Sequence, residues 1–146
     1  MASTSKASSP TGARAKTVLR WLLTLFMVAA GLNHFRTPAV YVGMMPQSLP
    51  WPEALVALSG LAEIAGGLGL VLPATRRWAA WGLVILFIAI FPANLNMAIN
   101  HLPLGDKVVS PLALWLRLPL QLPLIVWAFW YTRRERTARV AVPAPA

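Results

Sequence analysis

Glu63 is the residue that asks for a chemical explanation. It is one of four acids in the chain, and it stands inside an apolar run that extends from about Glu53 to Leu72. Lying about 10 residues into that run, at about 1.5 Å of rise per residue, it sits about 15 Å deep, near the middle of a bilayer. Arg117 interrupts another apolar run about 6 residues below its outer end, and Asn94 stands at a similar depth in a third. Gln121 is one helical turn beyond Arg117 on the same face. His34 ends the first apolar run, and His101 follows the third. An ionised side chain at the bilayer centre costs about 2.5–3.5 kcal/mol on insertion scales. Glu63 and Arg117 are therefore expected to face the protein interior, with each as the cheapest partner for the other. His34, Glu63, Asn94, Arg117 and Gln121 form the candidate ligand-binding set, at the outer half of the membrane.

The same residues also have a plain structural reading. An intramembrane Glu–Arg pair can serve only to fix helix register, and Asn94 can serve only as an interhelical hydrogen bond. Asn96 and Asn100 fall on another face and read as structural. No group in the set is a nucleophile with an oriented base, so no catalytic residue is assigned. Two histidines without a second nearby carboxylate do not make a metal site, so none is expected. Phosphate-binding glycine loops and nucleotide fingerprints are absent too. The absence of cysteine excludes dithiol, disulfide and thiolate chemistry.

The elements that must position these residues are helices in lipid. Hydrophobic residues make up 58% of the chain and charged ones 12%, with a mean hydropathy of +0.62. So few charges would not keep a soluble domain of this size in solution. Four apolar runs are long enough to span: about Thr17 to Phe35, Glu53 to Leu72, Trp78 to Asn100, and Pro111 to Tyr131. Val28-Ala29-Ala30 resembles a signal-peptidase site, but the first run is longer than a usual signal core and is expected to be retained. The expected architecture is all-α, an integral membrane four-helix bundle over residues 17–132. Disordered tails are expected at 1–16 and 133–146, the latter basic.

Between the first two runs, Pro38, Pro46, Pro50 and Pro52 break any long helix. Thr37-Pro38 reads as a cap and a first-turn proline, giving a short interfacial helix over Ala39–Met44. Ser110-Pro111 starts the fourth span in the same way. Ser59, Gly60, Gly66 and Gly67 flank Glu63 at one-turn spacings, a small-residue stripe suited to close packing in lipid. Pro92, Pro119 and Pro123 free the carbonyls of Ile88, Trp115 and Pro119 inside spans.

The net charge of +9 is a matter of topology rather than of nucleic-acid binding. Lys6, Arg14, Lys16, Arg20, Arg76, Arg77, Arg133, Arg134, Arg136 and Arg139 fall on one side, whereas Arg36 and Lys107 fall on the other. The positive-inside rule then places both termini in the cytoplasm.

Several strings resemble the DoxX-like family of small membrane proteins. Gly31-Leu32-Asn33-His34-Phe35 with Pro38, Tyr41 and Pro46 resembles its first motif. Ser59-Gly60-Leu61-Ala62-Glu63-Ile64-Ala65-Gly66-Gly67, with Leu72-Pro73 and Thr75-Arg76, resembles its second, and Pro92-Ala93-Asn94 its third. The resemblance implies a four-span protein of a bacterial inner membrane, with His34, Glu63 and Asn94 as its motif residues. It further implies an accessory subunit of a membrane redox system that binds a quinone or lipid headgroup in an outward-facing polar pocket. Quinone is then the cofactor to expect, with no metal or nucleotide. The partners to expect are the bilayer and either a membrane protein or a second copy of the chain. A small proton-coupled transporter and an assembly scaffold with a purely structural polar core are the alternatives.

Overall fold

The computed structural model describes residues 10–133. Six helices run through them: α1 (Pro10–Arg36), α2 (Pro38–Met44), α3 (Pro52–Val71), α4 (Arg76–Ala89), α5 (Phe91–Ile99) and α6 (Pro111–Trp130). Four crossings are long and apolar enough for a membrane, with α4 and α5 together making the third. That is the pattern of a multi-pass all-α membrane protein. The described residues contain no strand, only an isolated bridge between Leu104 and Lys107 across the Gly105-Asp106 turn.

Helix α1 begins at Pro10, not at Thr17, so residues 10–16 of the expected N-terminal tail are helical. Ala13, Arg14, Ala15 and Lys16 are good helix formers without an apolar face, so propensity carries the helix past its hydrophobic end. The expected tails at 1–9 and 134–146 lie outside the described residues. Helix α2 falls where expected, but Thr37 does not cap it. Its hydroxyl donates instead to the Asn33 carbonyl, one turn back, at 3.1 Å. Ser110 does cap α6, accepting from the Ala113 amide at 3.3 Å.

The third crossing, expected to be continuous, breaks at Ile90. Pro92 cannot donate to Ile88, and its ring disfavours helix just before it. In contrast, Pro119 and Pro123 leave α6 a single helix.

Helices α1, α3, α4 and α6 form a row of neighbours, with α2 and α5 completing the end opposite the chain termini. The flanking helices α1 and α6 meet where the Tyr131 hydroxyl donates to the Lys16 carbonyl at 2.9 Å. Two apolar clusters hold the bundle. One joins Leu23, Met27, Leu70, Leu83, Phe87 and Tyr131 near the chain termini, and the other joins Met44, Met97, Ala98 and Leu114 near the loops. Large apolar side chains such as Leu25, Leu58, Ile85 and Val126 are turned outward, where hydrocarbon would cover them.

The glycine stripe does what its spacing predicts. A Cβ on Gly31 would lie 2.6 Å from the Gly60 carbonyl oxygen, and one on Gly60 would lie 2.8 Å from the His34 Cβ. Gly66 and Gly69 similarly admit Leu83 and Ala79 of α4. Backbone-to-backbone approach is the main source of helix affinity where lipid removes the hydrophobic drive. Gly31→Ala should therefore destabilise the protein by about 1–3 kcal/mol, as overpacking does. Gly43→Ala, with nothing within 4 Å of the added carbon, should not. Thermal unfolding of the two variants in detergent checks this, and equal midpoints would refute it.

Candidate functional site

The close approach of α1 to α3 brings His34 to Glu63. Side chains lean toward the N-terminus of their own helix. On antiparallel helices that lean carries His34 away from the loops and Glu63 toward them, so the two converge. His34 Nε2 lies 3.6 Å from Glu63 Oε2. His34 is 8% exposed and Glu63 5%. Glu63 Oε2 has no hydrogen-bond partner.

The other face of the imidazole fixes its tautomer. His34 Nδ1 lies 3.0 Å from both the Val56 carbonyl and the Ser59 hydroxyl. The Ser59 hydroxyl gives its own hydrogen to Val56 O at 2.9 Å. Both neighbours therefore face Nδ1 as acceptors, and Nδ1 must carry a hydrogen. In the neutral ring, Nε2 then presents a lone pair to Glu63 Oε2. A second lone pair from an ionised carboxylate would repel it strongly in a low-dielectric interior. A proton on either atom removes the conflict, although at 3.6 Å the two are in contact and not hydrogen-bonded.

Tyr41 of α2 completes this wall. Its ring stacks on His34 at 3.8 Å between centroids and 26° between planes, while its hydroxyl accepts from Asn33 Nδ2 at 2.8 Å. Tyr41, Ser59 and the Val56 carbonyl were not among the expected site residues. Ser59 carried a signal, one turn before Glu63, but it read as a small packing residue. Tyr41 read as an interfacial aromatic.

The opposite wall comes from α4, α5 and α6. The break at Ile90 leaves the Phe87 carbonyl open to a side chain, and Gln121 Nε2 donates to it. This is one residue before the Ile88 carbonyl expected from Pro92. Asn94 Nδ2 donates in turn to Gln121 Oε1 at 3.4 Å. The expected Glu63–Arg117 pair does not form. Among the described residues Arg117 makes no ion pair, and its Nη1 points at Met97 Sδ, 3.5 Å away. The lean of α6 side chains explains this, because it carries Arg117 toward the loops and α5. Asn96 is structural, as expected, and donates to the Met44 carbonyl at 3.0 Å. His101 is exposed at the third crossing's end, with φ at 49°.

His34, Glu63, Asn94, Arg117 and Gln121 all line one cavity of about 750 Å³, together with Tyr41 and Ser59. It lies between the two apolar clusters. Its lining also includes Phe26, Leu58, Ile85 and Leu120, which are 48%, 62%, 63% and 62% exposed on the outside of the bundle. The cavity is thus polar at a few points, apolar elsewhere, and reaches the bundle's lateral surface. No cluster of metal-ligating residues occurs among the described residues. The tautomer can be read directly: nitrogen-15 NMR of histidine-labelled protein should show His34 Nδ1 protonated at every pH at which the fold persists. A bare Nδ1 with a protonated Nε2 would refute this tautomer.

Comparison with known families matches residues 23–132 to a domain of unknown function, DUF8561. No curated protein and no solved structure matches the chain. The matched stretch contains every polar residue of the cavity, brings no activity with it, and offers no link to the DoxX-like pattern. By that match, which spans most of its 146 residues, the chain belongs to the DUF8561 family.

Proposed function

We propose that this protein binds the polar head of a membrane-borne amphiphile, a quinone or a lipid, in the cavity between α1, α3, α4, α5 and α6. The observation that carries this reading is the composition of the cavity wall. Seven polar side chains converge in a space whose volume, about 750 Å³, falls in the range of about 300–1,000 Å³ usual for small-molecule sites. Exposed apolar residues border the same space, so a tailed ligand enters sideways, from hydrocarbon. The basic residues beside the chain ends support both termini in the cytoplasm, with the His34 end of the cavity toward the outer leaflet. Service as an accessory subunit of a redox partner in a bacterial inner membrane rests on the DoxX-like resemblance alone.

The alternatives have less support. A scaffold with a merely structural polar core has no use for so large a void, because close packing is what stabilises such a core. A proton-coupled transporter would use the His34–Glu63 proton, but it also needs a path to the other side. Leu23, Met27, Leu83 and Phe87 close that route as fully buried side chains.

The test is occupancy. Ala93 lines the cavity and Ala65 is exposed on α3. Ala93→Phe should lower binding of decylubiquinone and of co-purifying lipid by roughly tenfold or more, equivalent to about 1.4 kcal/mol, while Ala65→Phe leaves both unchanged. Native mass spectrometry of the purified proteins measures this. Equal occupancy in both variants would overturn the proposal.

A further inference from the structure

The cavity is lined by a cation that has no ion-pair partner among the described residues. Arg117 stands on the fourth crossing, inside an apolar helix, with a thioether as its described polar contact. An arginine is always charged, and its guanidinium presents five donors in a planar fork. Met97 Sδ takes one of them, as a weak acceptor. Glu63, across the cavity, lies against His34 and not against the guanidinium, so Arg117 has no carboxylate partner among the described residues.

The remaining polar groups are set toward donation as well. Gln121 is held by the Phe87 carbonyl through its amide nitrogen. It takes one hydrogen of Asn94 at its oxygen, which leaves Asn94 a second amide hydrogen for another acceptor. Ser59 and Tyr41 are committed to Val56, His34 and Asn33. Across from them, Glu63 Oε2 is buried and without a hydrogen-bond partner.

We infer that the ligand of this cavity is an anionic amphiphile, a carboxylate or phosphate head on a hydrocarbon tail, whose oxygens pair with Arg117 and accept from Asn94. This rests on the amphiphile reading above and narrows it. Carboxylates and phosphates are what an arginine fork recognises in two-point fashion. A neutral quinone head would leave the guanidinium without a counter-ion. The tail follows the exposed apolar border past Phe26 and Leu120. The arrangement also explains why Arg117 is not placed against Glu63: a protein-internal salt bridge would occupy the one group able to hold the ligand's charge.

The experiment measures binding of laurate, dodecyl phosphate, methyl laurate and inorganic phosphate to the full chain in a non-ionic detergent. Laurate and dodecyl phosphate should bind the wild type, methyl laurate roughly tenfold or more weakly, and inorganic phosphate undetectably. Arg117→Gln should erase the preference for laurate over its methyl ester. Arg117→Lys should keep that preference in weakened form, and Arg117→Met supplies a second uncharged form should Arg117→Gln fail to fold. Removing a half-buried charge that has no ion-pair partner should also leave the ligand-free protein at least as heat-stable as wild type, which a purely structural arginine would not. Laurate and methyl laurate binding the wild type alike, both weakened by Ala93→Phe, would overturn the anion inference and leave the cavity reading standing. Tailed probes that fail to bind, or that ignore Ala93→Phe, would overturn the cavity reading itself. Inorganic phosphate binding as tightly as dodecyl phosphate would overturn the membrane source and keep the anion.

Discussion

Helices α1 and α3 touch through backbone rather than side chains, and this approach governs the rest of the molecule. Gly31 and Gly60 face each other closely enough that neither has room for a methyl group. One turn from Gly31 stands His34, and one turn from Gly60 stands Glu63. Had the two helices kept the usual separation of about 8–10 Å, the imidazole and the carboxylate would be left to find separate partners in an environment that offers few. Thr24 binds the same two helices lower down, donating to the Gly67 carbonyl at 3.0 Å. The interface is thus fixed at both ends, and the buried acid inherits its neighbour from that geometry.

The second wall is organised by a defect. Proline at position 92 interrupts the third crossing, and the open carbonyl is met by a glutamine from the fourth. Hydrocarbon leaves no water to satisfy such a group, so a side chain must do it. That requirement draws Gln121 inward and, through Asn94, ties α5 to α6. Polar groups on the two walls thus have different origins. One wall is built by small residues allowing approach, the other by a broken helix whose Phe87 carbonyl takes its hydrogen from a side chain.

Much of this was legible from residue types alone. Four apolar runs of membrane length became four crossings, because length and hydropathy decide that question. The five polar residues expected to share a site do line one cavity, because the cost of exposing any of them to lipid drives all of them inward. Partner identity was not legible. Charge alone matched Glu63 with Arg117, but direction matched Glu63 with His34, since side-chain lean depends on which way each helix runs. The stacking of Tyr41 on His34 required the path of the chain through Thr37 and Pro38, which no periodicity encodes. The start of α1 at Pro10 was missed because its first residues form helix without burying anything.

The break at Ile90 has a mechanical consequence. Below it, α4 is locked into the larger apolar cluster through Ala80, Leu83, Val84 and Phe87. Above it, α5 belongs to a separate, smaller cluster with Met44 and Leu114. A single membrane crossing is thereby divided into a fixed segment and a segment anchored elsewhere, joined where a helical hydrogen bond is already lost. Ile90 and Asn94 lie at that joint and on the cavity wall. The two halves of this crossing are therefore held by different packing units, and the cavity wall spans the joint between them.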